Sequence, residues 1–235
     1  MLPKYMNPAT YTPDQLLGPL NAVERKHAPE HLYVAGDLGI LQSGARVAIV
    51  GARQASPAGL ARARKLAARL VREGAVVVSG LALGIDTAAH TAAIAAGGRT
   101  IAVIGTPLER AYPRENELLQ ARIASDHLLV SQFPPGTKTQ RFHFPQRNRT
   151  MALISDATVI IEAGETSGSL SQGWEALRLG RLLYITHAVA RDPALKWPAS
   201  MLDYGARILS SASLGDFLDA LPPREPVSVN AAVPF

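Results

Sequence analysis

Residues 46–80, RVAIVGARQASPAGLARARKLAARLVREGAVVVSG, contain one complete strand–helix–strand pattern. The runs 47–50 and 75–78 are β-branched without polar alternation, which is typical of strands buried on both faces of a parallel sheet. Between them, residues 57–73 carry apolar side chains at helical spacing on one side. The opposite side carries a basic stripe of Arg62, Lys65, Arg69 and Arg72. We interpret this stripe as a solvated helix face, with a track for DNA as the alternative.

The same alternation continues along the chain. Further strands are predicted at 100–104, 128–130, 158–161 and 182–185, and further helices at 85–96, 114–124, 147–155 and 169–180. The pattern predicts an α/β fold, with a doubly wound, mostly parallel sheet and helices on both faces. Ligands of such sheets bind outside the carboxyl ends of the strands.

The pattern also suggests a division of the chain. Residues 46–221 are expected to form the main domain. Residues 1–45 are expected to be an extension packed on it, with one short helix over about 13–25. Residues 222–235 are expected to be a tail.

Composition restricts the classes of function. The chain has 235 residues, of which 47% are hydrophobic and none is cysteine, so disulfides and thiolate zinc sites are excluded. The six histidines are dispersed and no HExxH motif occurs, so we predict neither a metal site nor a cofactor. The N-terminus lacks a signal-peptide pattern, and no apolar run is long enough to span a membrane. We expect a soluble cytoplasmic protein, whose net charge of +5 permits an anionic partner.

Three turns after strands are candidate anion sites, because glycine permits close backbone approach and helix N-termini attract anions. The residues of these phosphate-cradle loops are Gly51, Ser79, Gly80, Gly84, Ser167, Gly168 and Ser169. Arg53 in the first turn is either a phosphate ligand or an ordinary surface arginine. Ser79, Asp86 and His90 could be drawn as a hydrolytic triad, but no G-x-S-x-G elbow is present. We favour capping and loop bracing for these side chains.

The segment RFHFPQRNRT, residues 141–150, combines arginines with aromatic rings. We expect a helix to start near Arg147, where positive side chains oppose the helix dipole unless an anionic ligand is present. Bases stack on aromatic rings and phosphates pair with arginines in single-stranded nucleic acid complexes. The alternative is an arginine network that pairs with buried carboxylates such as Glu162 or Glu175.

Several blocks in fixed order resemble the DprA/Smf DNA-processing family over residues 28–188. They read VAIVGAR, VVVSGLALGIDTAAH, GGRTIAVIG, AYPRENELL, FHFPQRNR, EAGETSGSL and EALRLGR. The resemblance implies an extended Rossmann-like fold and a homodimer that binds single-stranded DNA, shields incoming strands and helps to load RecA. It implies no catalytic residue. The DNA-binding residues that it implies are Arg53, Arg114, Arg141, Phe144, Arg147, Asn148 and Arg149.

The resemblance therefore predicts a non-enzymatic protein of DNA recombination and natural transformation. For the dimer contact, the candidate is the segment 182–189 with Tyr184 and Ile185. One alternative function is a nucleotide-binding or nucleotide-hydrolysing sensor related to the cytokinin-activating phosphoribohydrolases. Their P-G-G-x-G-T loop is not matched by EAGETSGS at 162–169. Another is a defence-associated interaction module that retains only the fold.

Overall fold

The computed structural model describes residues 8–223, so the predicted tail from 222 onward lies almost entirely outside the described residues. The strands are β1 (Ala9–Tyr11), β2 (Leu32–Gly36), β3 (Arg46–Gly51), β4 (Val76–Ser79), β5 (Thr100–Ile104), β6 (Leu128–Ser131), β7 (Ala157–Glu162), β8 (Leu182–Thr186) and β9 (Arg207–Leu209). The helices are α1 (Pro13–Leu17), α2 (Ala22–Arg25), α3 (Pro57–Arg72), α4 (Ile85–Ala95), α5 (Glu117–Asp126), α6 (His143–Ile154), α7 (Ser169–Arg178), α8 (His187–Ala190), α9 (Trp197–Asp203) and α10 (Leu214–Asp219). Two 3₁₀ turns cover Leu38–Gln42 and Arg114–Asn116.

The nine strands found in residues 8–223 belong to one sheet, in the order β1-β2-β6-β5-β4-β3-β7-β8-β9. The seven strands from β6 to β9 in this order pair in parallel, while β2 pairs antiparallel with both β1 and β6. The chain winds outward from β3 to β6 and then returns to place β7 on the other side of β3. The strand order therefore reverses between β3 and β7, which is where doubly wound sheets bind ligands.

Helices cover both faces of the sheet, as predicted. On one face, alternate residues such as Val47 and Ile49 of β3 pack with apolar side chains of α3, α4 and α10. On the other face, Ala48 and Val50 belong to a cluster with α6, α8 and α9. Both faces of each central strand are therefore buried in the core, which explains the continuous apolar sequence of these strands. The predicted fold class is confirmed.

The N-terminal part adds strands and helices that the sequence pattern did not predict. Strands β1 and β2 join the sheet beside β6. The single helix expected over about 13–25 is wrong: two short helices occur, each opened by a capping box. They are separated because Gly18 adopts a positive φ of 83° and Pro19 follows it.

The start of α6 differs from the prediction in a way that affects the site. The helix begins at His143 rather than near Arg147. Pro145 lies within the first turn, where its missing N–H removes no intrahelical bond. Arg147 consequently lies in the second turn, so the argument from the helix dipole does not apply to it.

No helix among residues 8–223 is long and apolar enough to cross a membrane. Within the same residues, no group of three or more His, Asp or Glu side chains is arranged to hold a metal ion.

Candidate functional site

A cavity of about 480 Å³ opens where the strand order reverses. Its walls come from the end of β3, the turn that follows it, the loop after β7, the start of α7 and the second turn of α6. The residues that line it include Gly51, Arg53, Asp86, Phe144, Arg147 and Ser169. The position agrees with the general rule for ligand sites of doubly wound sheets.

Arg147 is the buried cation of this cavity, with only 6% of its surface exposed. Its Nη1 donates a hydrogen bond of 2.9 Å to the carbonyl oxygen of Val103 in β5. The guanidinium lies directly against Gly80: a Cβ atom at Gly80 would stand 1.4 Å from Nη1. Glycine after β4 is therefore required by the arginine rather than by a tight turn. Nε of Arg147 is buried and has no hydrogen-bond partner among the described residues.

Asp86 is the buried anion of the same cavity and is 4% exposed. Its Oδ2 accepts hydrogen bonds from the backbone N–H groups of Gly80 at 3.1 Å and Ala82 at 3.4 Å. Burial raises the pKa of Asp86, and the positive charge of Arg147 opposes that shift. Burial lowers the pKa of Arg147, and the negative charge of Asp86 opposes that shift. The bracing role predicted for Asp86 is confirmed.

The hydrolytic triad is not formed. The hydroxyl of Ser79 donates to the carbonyl oxygen of Ile49 at 2.7 Å. Nδ1 of His90 contacts Oγ1 of Thr100 at 2.7 Å, and burial lowers the pKa of His90 to about 3. Both side chains are fully buried away from the cavity surface.

Arg53 and Phe144 form the outer wall. Arg53 is exposed, and its Cζ lies 5.6 Å from the centre of the Phe144 ring, within cation–π range. The ring packs against Gly105, where a Cβ atom would stand 2.8 Å from Cδ1. Arg53, Phe144 and Arg147 also line a smaller cavity of about 80 Å³ beside the first, together with Tyr112. The Tyr112 and Phe144 rings are 5.3 Å apart.

The third wall is the N-terminus of α7. Its N-cap residue is Gly168, which has no side chain to cap the helix. Asn148 of α6 holds this loop through hydrogen bonds from Nδ2 to the carbonyl oxygen of Gly168 at 3.0 Å and to Oγ of Ser171 at 2.7 Å. The hydroxyls of Ser167 and Ser169 are 2.7 Å apart beside it. A helix N-terminus with hydroxyl groups is a favourable position for an anion.

The structure brings together only part of the residues predicted for the site. The cavity-lining members are Gly51, Arg53, Phe144, Arg147, Asn148, Ser167, Gly168 and Ser169, and Gly80 lines the smaller cavity. Arg114, Arg141 and Arg149 are exposed but line neither cavity.

Two predicted cradle residues support the site without lining either cavity. Ser79 is fully buried, so its place in a phosphate cradle is wrong. Gly84 has a φ of 77° and packs against the first turn, where a Cβ atom would stand 2.4 Å from the carbonyl oxygens of Ala52 and Arg53. Gly84 therefore fixes the backbone that carries Arg53.

Neither carboxylate suggested as a partner for the arginines of segment 141–150 serves that purpose. Glu162 accepts hydrogen bonds from the backbone N–H and hydroxyl of Ser56 at 2.7 and 2.6 Å. Glu175 pairs with Arg178 of its own helix. The carboxylate near Arg147 is Asp86, which sequence reasoning treated only as a brace. One feature of the sequence could have indicated this role. Asp86 lies two residues after Gly84, in the first turn of α4, and the loop that precedes α4 follows a parallel strand, as the loop of Arg53 does.

The dimer segment suggested from sequence is also wrong. Strand β8 lies inside the sheet between β7 and β9, and Tyr184 and Ile185 are 3% and 0% exposed. These side chains are already used in the core of the single chain.

Taken as chemistry, the cavity offers two guanidinium groups, an uncapped helix N-terminus and a partly exposed aromatic ring. The first two bind oxyanions through charge-assisted hydrogen bonds, and the ring offers a stacking face. Among the residues that line the cavity, no nucleophile is paired with a general base.

Known proteins share the fold of this chain. The chain is 38% identical over 196 residues to the DNA processing protein DprA of Bacillus subtilis, a match that covers 83% of this chain and 65% of the relative. A solved structure of DprA from Streptococcus pneumoniae superimposes with a TM-score of 0.76 at 32% identity, covering 92% of this chain and 75% of the other. DprA from Helicobacter pylori, whose structure concerns its single-stranded DNA binding mode, gives a TM-score of 0.76 at 27% identity, covering 92% of this chain and 95% of the other. The family model for DNA recombination-mediator protein A matches residues 10–221. The chain belongs to the DNA recombination-mediator protein A family.

Proposed function

We propose that the cavity at the β3–β7 switch point binds single-stranded DNA, with a backbone phosphate between Arg53, Arg147 and the N-terminus of α7. The observation that carries this proposal is the convergence of residues from three distant segments on one cavity. A phosphodiester is an oxyanion, so the guanidiniums and the helix N-terminus are matched to it. A base attached to that phosphate would reach the ring of Phe144, which lines both cavities.

Membership of the family supports the choice of ligand. The H. pylori relative is a protein with a single-stranded DNA binding mode, and its fold covers nearly the whole of this chain. None of the contacts described above reads a base edge, so binding would be largely independent of sequence. Arg114, Arg141 and Arg149 would then contact the strand outside the cavity.

The wider role follows as part of the same proposal. The protein acts in DNA processing during recombination and uptake of DNA, as a binding protein without a catalytic step, in the cytoplasm. It works as a homodimer and cooperates with RecA. The match covers 65% of the B. subtilis relative, less than two thirds of its length. These partners are therefore inferred from the family rather than from the cavity.

A free nucleotide is the second candidate ligand, because a cavity of about 480 Å³ lies within the usual range for small-molecule sites. The two candidate ligands differ in whether they can contact protein groups outside the cavity. A strand gains affinity from exposed cations, whereas a mononucleotide does not.

A titration separates the two candidates. Fluorescein-labelled oligo-dT of about 20 nucleotides is titrated with the protein, and dTMP and ATP are added as competitors, with product analysis for nucleotide turnover. We expect oligo-dT binding that weakens steeply between about 50 and 200 mM salt, because several phosphates release counterions. Salt-independent binding would contradict capture by phosphate contacts. Nucleotide turnover, or nucleotides that bind more tightly than the oligonucleotide, would favour the sensor.

A further inference from the structure

Helix α3 has an unusual distribution of charge. Its sixteen residues contain no Asp or Glu, and they carry five cations, Arg62, Arg64, Lys65, Arg69 and Arg72. Several of these are like-charge neighbours at i,i+3 or i,i+4, a spacing that destabilises a helix slightly in the absence of counter-charges. The chain as a whole has a net charge of only +5, so this one helix concentrates a large part of the excess.

The structure divides the five cations into two groups. Arg62 pairs with Glu162 at 3.7 Å and Arg69 pairs with Glu73 at 2.8 Å. The side chains of Arg64, Lys65 and Arg72 are exposed, and in the described range 8–223 none of these side chains forms an ion pair or a hydrogen bond. On a helical projection these three lie within one arc, opposite the buried side that contains Ala63, Ala67 and Leu70.

Helix α3 is also continuous with the site. It begins at Pro57, directly after the turn whose residues Arg53 and Gln54 line the cavity. Its side-chain cap is Ser56, whose hydroxyl accepts from the N–H of Gly59 at 3.0 Å. The N-terminus of α3 is already occupied by the Glu162 carboxylate, which accepts from the backbone N–H and the hydroxyl of Ser56. A strand that leaves the cavity past Gln54 therefore meets the unpaired cations of α3 farther along the helix, from Arg64 onward.

We propose that the exposed face formed by Arg64, Lys65 and Arg72 is an accessory track for the phosphates of single-stranded DNA beyond the nucleotide held in the cavity. This inference rests on the proposed function and extends it from one nucleotide to a longer strand. Arg62 and Arg69 of the predicted stripe are not part of the track, because carboxylates already pair with their charges. Arg64 and Arg72 are separated by eight residues of helix, or about 12 Å, which is enough for two or three phosphates of an extended strand.

The test compares two lengths of DNA. The charge-reversal variant R64E/K65E/R72E and the neutral variant R64Q/K65Q/R72Q are titrated with oligo-dT of about 4 and about 20 nucleotides, lengths that span the usual site sizes for single-strand binders. A matched control, K26E/R191E/R207E, makes the same change in net charge at exposed cations that line neither cavity. Circular dichroism confirms that each variant is folded.

We expect the charge-reversal variant to lose about tenfold or more in affinity for the long oligonucleotide at low salt, and little for the short one. For the neutral variant, the slope of log affinity against log salt should become shallower by about 2 for the long oligonucleotide, at about 0.7 per phosphate contact for three contacts. Variants that bind the long oligonucleotide as well as the parent, or that lose the same affinity as the control, would overturn the track. Equal losses for both lengths would also overturn it. Failure of the parent to bind either length would instead refute the proposed function.

Discussion

Replacing each of the two arginines that line the cavity distinguishes an effect on DNA affinity from an effect on the free energy of unfolding. Both guanidiniums are proposed to contact the same phosphate, so Arg53→Ala and Arg147→Ala should each weaken oligo-dT binding. Hydrogen bonds to charged groups contribute about 1.5–3 kcal/mol, which corresponds to roughly a tenfold to hundredfold loss of affinity. The two residues differ in burial, because Arg53 is exposed whereas Arg147 is 6% exposed.

This difference in burial predicts different effects on the free energy of unfolding. Arg147→Ala removes the 2.9 Å hydrogen bond to the Val103 carbonyl and takes the nearby positive charge away from buried Asp86. Loss of a partner from buried polar groups costs about 1–3 kcal/mol. A domain with about 5–15 kcal/mol of stability remains folded after such a loss. Arg53→Ala removes only an exposed cation over a ring, so its effect should stay within about 0.5 kcal/mol.

The assay is fluorescence anisotropy with labelled oligo-dT at one fixed salt concentration, together with urea unfolding of each variant. Arg69→Ala is the matched control, because Arg69 pairs with Glu73 at the surface of α3 and lines neither cavity. An Arg53→Ala variant that binds like the parent would refute the phosphate contact assigned to Arg53. An Arg147→Ala variant as stable as the parent would refute the structural role that burial assigns to the guanidinium.

Two further predictions follow from buried groups. Gly80→Ala should weaken oligo-dT binding about tenfold, because a Cβ atom would stand 1.4 Å from Nη1 of Arg147 and displace it. Gly215→Ala, whose Cβ meets no atom within 4 Å, is the control in the same anisotropy assay, and equal binding by both variants would contradict the packing argument. His90, with a pKa held at about 3 against the ordinary 6.5, stabilises the fold fully above pH 6.5 and progressively less as the pH falls toward 3. Urea unfolding should therefore show the parent losing about 2 kcal/mol more than His90→Gln between pH 6.5 and 5, at about 1.4 kcal/mol per pH unit. An unchanged pH dependence in His90→Gln would show that His90 does not couple protonation to folding.

The central sheet could be predicted from sequence because its strands are buried on both faces. Such strands read as continuous apolar runs, and all six predicted runs correspond to observed strands. Strands β1 and β9 were missed because each has only three residues and lies at an edge of the sheet. Strand β2 is as long as the predicted strands, but it was taken as part of the N-terminal extension. Their strand character comes from pairing with distant neighbours, as β2 pairs with β6, and not from a local pattern.

The site was predictable where the residue types were themselves unusual. Arg53 in a glycine turn and the arginines near Phe144 stood out in an apolar chain. Asp86 and Tyr112 were not assigned to the site, because their positions follow from the order of β4, β5 and β3 in the sheet. Sequence spacing does not reveal which loops meet at one edge.

The energetics of Arg147 connect the ligand to the stability of the fold. Burial disfavours its charged form, and within residues 8–223 the compensation comes from one carbonyl oxygen and from Asp86, with which it forms no ion pair, while Nε has no partner. A phosphate in the cavity would supply the oxyanion that this guanidinium lacks. Because such a ligand binds the folded state and not the unfolded one, occupancy of the site raises the stability of the domain in proportion to the logarithm of ligand concentration. Arg147 therefore contributes to the fold through Val103 and Asp86, and it retains a buried donor, Nε, that favours binding of an oxyanion.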